Sequence, residues 1–202
     1  MNLTKRQNEI IEKSLELISK NGIQGLTIKN LSKEIGISEP AIYRHFENKS
    51  KILKTILLIF KFQIDKTFYK LNNLNLETKS KIDMFFTIHL EKFLNSPHIS
   101  SVIFSEELFI NEPELSIIIN EIMKTSINNM SKIIKKGQEK NEICKELTPE
   151  DLSIIMLGSL RLLIKDWYLS GFQSNLKEKV NNLKNTIIKI IGEKGENNGR
   201  KD

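Results

Sequence analysis

Cysteine is almost missing from this chain: Cys144 is the only one in 202 residues. No disulfide can close within the chain, and no cysteine-based metal cluster can form. Cys144 follows the polar run Glu139-Lys140-Asn141-Glu142 near a loop and reads as a bystander rather than a redox sensor. Long apolar runs are absent too. None approaches the ~18 consecutive apolar residues of a membrane helix, so no membrane partner is expected. The opening Met1-Asn2-Leu3-Thr4-Lys5-Arg6 has no apolar signal core and no cleavage site, which gives the expectation of a cytoplasmic protein. Catalytic signatures are also missing: there is no Walker A loop, G-x-G-x-x-G, G-x-S-x-G or H-E-x-x-H. Three scattered histidines and one cysteine offer little for nucleophilic chemistry. The expectation is a protein that is not an enzyme and uses no cofactor or metal.

Charge is present and unevenly spread. Lysine and arginine number 31 against 25 acids, a net of +6. Residues 1–54 hold ten basic and six acidic side chains, a net of +4, so most of the excess sits in the first quarter. A concentrated basic patch suits a polyanionic partner through phosphate neutralisation and counterion release. The abundance of Ile, Lys and Asn also fits an AT-rich genome, which inflates lysine for reasons unrelated to binding.

The hydrophobic spacing is helical nearly throughout, with no strand pattern and no internal repeat. Ile10, Ile11, Leu15, Leu17 and Ile18 recur on one face of a helix over 4–20 that ends at Asn21-Gly22. Thr27 caps a second helix carrying Ile28, Leu31 and Ile35, closed by Gly36. Ser38 caps a third, with Glu39 and Pro40 in its first turn and Ala41, Ile42 and Phe46 inward. A long fourth helix runs from about 49 to 71 on the stripe Ile52, Leu53, Ile56, Leu57, Phe60, Ile64 and Phe68. Further helices are expected over 78–94, 99–110 and 113–140, punctuated by Pro97 and Pro113. Thr148-Pro149-Glu150-Asp151 starts another that runs to Leu169, and a last one spans 176–191. The polar tail 193–202 is expected to be disordered. The fold class is all-α: a three-helix unit over 1–48 and a larger bundle over 49–192.

Residues 27–46 carry the function. A short amphipathic helix, a tight turn at Gly36 and a second short helix make a helix-turn-helix, which lets the second helix enter a DNA major groove while the first crosses the backbone. Outward positions of the second helix are Glu39, Pro40, Ala41, Tyr43, Arg44 and His45. A carboxylate such as Glu39 can accept from cytosine, alanine can meet a thymine methyl, and Arg44 can reach guanine or a phosphate. Tyr43, His45 and Lys49 suit phosphate oxygens, as do Thr27 and Lys29 at the start of the crossing helix.

The whole run from Gly22 to Lys49, with the Tyr43-Arg44-His45-Phe46 end and the Asn48-Lys49 opening of the fourth helix, resembles the N-terminal domain of the tetracycline-repressor (TetR) family over about residues 4–60. The resemblance implies a homodimer that binds a palindromic double-stranded DNA operator, most often as a repressor. A small molecule would enter the C-terminal body and shift the reading heads apart. By position, Lys29, Glu39, Pro40, Ala41 and Arg44 would face bases, while Thr27, Tyr43, His45 and Lys49 would hold the backbone; Ser38 belongs to the same surface. Glu39 departs from the usual pattern, since phosphate repels an acid there.

Beyond residue 60 the resemblance is one of pattern. The helices over 151–169 and 176–191 would pair two copies through Ile155, Ser159, Leu163, Leu183 and Ile187, or pack on their own core. An effector would meet Phe60, Ile64, Phe86, His89, Phe93, Phe104, Leu108, Met123, Ile127 and Trp167, although each also reads as ordinary core. Their aliphatic and aromatic character favours a lipophilic effector. His89 lies among phenylalanines as a satisfied core histidine or a ligand contact, and nothing in the sequence fixes its distance from Glu106. The alternative function is a DNA-bound structural or cell-division factor that uses the same head without a metabolite.

Overall fold

The computed structural model describes residues 3–192; the tail expected over 193–202 lies outside the described residues. Among them are ten helices and no strand: α1 (Lys5–Gly25), α2 (Ile28–Ile35), α3 (Glu39–Tyr43), α4 (Lys49–Asn73), α5 (Thr78–Asn95), α6 (Ile99–Ile103), α7 (Glu106–Asn111), α8 (Pro113–Glu139), α9 (Pro149–Leu169) and α10 (Leu176–Gly192).

Local capping explains most of these boundaries. Thr4 and Gln7 form a capping box at α1: the Thr4 hydroxyl accepts from the Gln7 amide, and the Gln7 side chain accepts from the Thr4 amide. Helical winding resumes after the expected stop, but Gly22 breaks it with φ 69° and ψ 179°. Thr27 accepts from the Asn30 amide at 3.0 Å, and Gly36 closes α2 at φ 77°, where a side chain would be strained. Asn48 accepts from the Lys51 amide to start α4. Thr148 accepts from the Asp151 amide to start α9. At the far end of α9 the amides of Gly171 and Phe172 bond to the carbonyls of Tyr168 and Trp167. The Phe172 ring lies 4.8 Å from that of Trp167, which completes a Schellman stop with its hydrophobic contact.

Two expectations are corrected. The Ser38 side chain makes no capping bond; its carbonyl accepts from Ala41 and Ile42 instead. The single helix expected over 99–110 is two, because Ser105 takes an extended conformation and its hydroxyl accepts from the Leu108 amide. A serine followed by Glu106 and Glu107 is a better helix start than a helix interior.

The described residues pack as two compact units. One runs to Asp65 and includes Phe93–Met123; the other comprises Lys66–Lys92 and the chain from Lys124. In the first, α1 packs on α2 and on α6, around Ile10, Ile18, Leu31, Ile42, Ile52 and Leu53. In the second, Phe68 and Phe85 stand 5.4 Å apart, and Phe86 meets Phe85 edge-on at 5.9 Å. There α9 and α10 pack together, burying Met156, Leu160, Ile164, Val180 and Ile187.

Candidate nucleic-acid interface and the helical body

The second helix of the motif is short, and its two anchors are fully inside: Ile42 and Phe46 are buried while the residues between and before them look outward. Backbone winding continues past Tyr43, since the amides of His45 and Phe46 both bond to the Ile42 carbonyl. Ser38, Glu39, Pro40, Tyr43 and Arg44 are exposed, with Tyr43 at 51 %, and Ala41 and His45 are half-buried. Thr27 and Lys29 are exposed at the start of α2. Among the described residues neither Lys29 nor Arg44 enters an ion pair of the head. Thr27, Lys29, Ser38, Glu39, Pro40, Tyr43 and Arg44 are thus all exposed within the first unit.

Lys49 is the exception. Its ammonium donates to the Ile23 carbonyl at 2.8 Å, tying the start of α4 to the end of α1. Burial lowers its pKa, and the carboxylates of Glu112 and Glu107 act the other way. In this structure the Lys49 ammonium is engaged within the head. Its partner lies 26 residues away, so no local pattern could have revealed it.

The body candidates divide by unit. Phe60, Ile64, Phe93 and Leu108 are buried in the first, where Phe60 meets Phe93 edge-on at 6.1 Å and Phe104 is half-buried. Met123 is 38 % exposed and therefore drops from the set of interior contacts. In the second unit Phe86, His89 and Trp167 are buried and Ile127 is half-buried. The His89 ring lies 4.0 Å from Phe85, and its Nδ1–H donates to the Phe85 carbonyl at 3.1 Å. Because a carbonyl only accepts, the neutral ring carries its proton on Nδ1 and leaves Nε2 as an acceptor. Burial, with repulsion from Lys92, pushes its pKa down to about 3. That is the arrangement of a satisfied core histidine. Beside it is a residue that sequence reasoning missed: Lys92 donates to the Thr67 hydroxyl at 2.8 Å, and burial lowers its pKa to about 8.

Two further groups bear on chemistry. Burial and Glu146 push the Cys144 thiol upward, away from a reactive thiolate. No three His, Cys, Asp or Glu side chains among the described residues come together as a metal site requires.

The pairing residues are partly corrected. Ile155 is exposed, and Ser159, Leu163 and Leu183 are half-buried, but Ile187 is only 3 % exposed and belongs to the chain's own core. Sequence reasoning missed Ile154, Leu162 and Leu169, the last two exposed by 66 % and 71 %. With Ile155 and Gly158 they line the side of α9 opposite Leu152, Met156, Leu160 and Ile164. Ile155, Leu162 and Leu169 repeat every seven residues, which was a readable signal.

Residues 10–56 match the family described as bacterial regulatory proteins, tetR family. Residues 60–190 match the one described as YsiA-like protein, C-terminal region. The chain is 23% identical over 186 residues to the fatty acid metabolism regulator protein of Bacillus subtilis, covering 91% of this chain and 92% of the relative. It is 25% identical over 123 residues to the nucleoid occlusion factor SlmA of Aliivibrio fischeri, covering 59% and 61%. Among solved structures, the regulator FadR from Bacillus subtilis in complex with stearoyl-CoA superposes with a TM-score of 0.73 at 21% identity, over 91% of this chain and 98% of that one. At that identity the likeness shows the fold.

Two measurements follow from this geometry. Replacing Arg44 by Ala should flatten the plot of log affinity against log salt by about 0.9 for each phosphate that Arg44 neutralises. Lys49→Ala should leave the slope unchanged and lower the thermal midpoint, and a flattened slope would return Lys49 to the phosphate-binding set. The second concerns pH. His89 has a folded pKa below its unfolded value, so the unfolded chain binds the extra proton between about 6.5 and 3. Stability from this group is complete above 6.5 and is lost as pH falls. Denaturant titrations from pH 7.5 to 5 should show that decline, and His89→Phe should remove part of it while keeping the stability at pH 7.5.

Proposed function

Since the chain belongs to the TetR family of bacterial regulatory proteins, a family of DNA-binding transcriptional regulators, we propose that it acts as a homodimeric repressor released from a palindromic operator by a lipophilic small molecule. The observation that carries this reading is the exposed face of α3 and the Arg44 that follows it, anchored inward by Ile42 and, beyond the helix, by Phe46. On that face Lys29, Glu39, Pro40, Ala41 and Arg44 are assigned to bases, and Thr27, Ser38, Tyr43 and His45 to the backbone. The proposed place of action is the cytoplasm. No helix among the described residues is long and apolar enough to cross a membrane.

A long-chain acyl thioester is the effector class to test first. The support is the body's buried aromatic residues, the likeness over 91% of this chain to the fatty acid metabolism regulator protein of Bacillus subtilis, and the shared fold with the regulator FadR of that organism, solved with stearoyl-CoA. The second reading, a DNA-bound structural or cell-division factor, draws on the partial likeness to a nucleoid occlusion factor.

Selection of duplexes from a random pool should yield a palindrome with half-sites about one helical turn or a simple multiple apart. Stearoyl-CoA should then weaken operator binding, and the operator should weaken stearoyl-CoA binding by the same factor, on the order of 5–150-fold. A palindrome insensitive to acyl thioesters and to cell-derived small molecules would leave the second reading in place of the first. Pairing is tested separately: Leu162→Glu should give a folded monomer by light scattering, because two-fold pairing would bury the charge without a partner. A dimer that survives this change would move the pairing face off α9.

A further inference from the structure

Three carboxylates from one short stretch reach back to the reading head within the first unit. Glu107 accepts from the Gln24 amide nitrogen at 2.6 Å, near the end of α1. Glu112 accepts from the Ser50 hydroxyl at 3.0 Å, on the first turn of α4. Glu114 pairs with the Lys54 ammonium one turn further along. Between them lies Lys49, whose charge feels both Glu112 and Glu107. Lys51 in turn stabilises the charge on Glu114. The contacts span 60 to 83 residues of sequence.

Acids in this place need a reason. They stand beside the lysines that open α4, directly after the recognition helix, where phosphate would repel them. Their contribution to folding is small, since exposed ion pairs supply about 0–1 kcal/mol. The head has its own core in Ile10, Ile18, Leu31 and Ile42, which does not depend on them. The packing of α1 on α6 already joins the head to this part of the unit; what three weak, separate polar contacts can add is to fix the attitude the head takes there.

We propose that Glu107, Glu112 and Glu114 are positioning residues for DNA binding: an acidic clasp on α7 and the start of α8 that sets the attitude of the head through Gln24, Ser50 and Lys54. The clasp touches no base. It acts through the end of α1 and the first turns of α4, the two places from which α2 and α3 are carried.

The test uses the full chain and a charge exchange: K54E, E114K and the double variant K54E/E114K. One readout is the ratio of affinities for the selected operator and for a random-sequence duplex, in which general charge effects cancel. The other is amide exchange over residues 21–27 and 49–56. The two single variants change net charge in opposite directions. If the clasp positions the head, both lower the ratio by about two- to five-fold, the range an exposed ion pair supplies. Both speed exchange, and the double variant restores ratio and exchange together, with thermal midpoints close to wild type throughout. A constant ratio, with absolute affinities moving in opposite directions, would show that the carboxylates supply only a field and overturn the proposal. A double variant as impaired as the singles would also overturn it. The exchange arm needs no operator, so unchanged exchange in both singles sinks the clasp even if the repressor reading itself fails.

Discussion

A helix of five residues cannot hold its shape in water, because nucleating the first turn costs more than its few hydrogen bonds return. Helix α3, from Glu39 to Tyr43, is such a helix, and its cap is weak: the Ser38 side chain bonds to nothing in the first turn. What holds it is burial of Ile42 and, one turn on, of Phe46. Truncating a buried residue of that size costs about 2–5 kcal/mol, against about 1 kcal/mol for a missing cap. The outward residues can therefore be chosen for DNA, since they carry almost none of the stability. Glu39, Pro40, Tyr43 and Arg44 stand free of the core because Ile42 does the holding.

The same division of labour governs the lysines. A cation useful to a phosphate must be free to reach it, and Lys29 and Arg44 stand exposed. Lys49 sits against the Ile23 carbonyl and Lys54 against Glu114. The first quarter of the chain is rich in positive charge, yet part of that charge is engaged inside the first unit. Counting basic residues overstates what is available to DNA, and only their partners show which remain.

How much was legible follows from how far each signal reaches. Thr4, Thr27, Gly36 and Thr148 act within one turn of themselves, so the ends they set could be read from the residues alone. Ser105 acts just as locally, but the apolar residues on either side of it, Ile103 and Phe104 before and Leu108 to Ile110 after, masked it and two helices read as one. Lys49 and Lys92 could not be placed, since their partners Ile23 and Thr67 lie 26 and 25 residues away. Helix α9 failed for a different reason. It is apolar nearly all round, and periodicity then identifies a helix without saying which face is inside. Ile154, Leu162 and Leu169 were missed on that ambiguity; Ile187 lies on α10, where its neighbours in the core claim it.

That ambiguity in α9 is itself physical. A helix apolar on both sides satisfies one side within its own unit and leaves the other in search of a partner. Ile154, Ile155, Leu162 and Leu169 are each about half to two-thirds exposed. Covering them would return roughly 1–2 kcal/mol apiece at the usual value for apolar surface. Doubled over two copies, that is on the order of 8–16 kcal/mol, against about 4–15 kcal/mol for lost freedom on association. The α9 stripe by itself therefore comes close to breaking even. A stable pair needs more surface, and the neighbouring helix of the same unit offers it in Ile190, exposed, and Leu183, half-buried. A pairing face built on α9 would gain from these α10 residues, whereas Ile187 is already buried in the core.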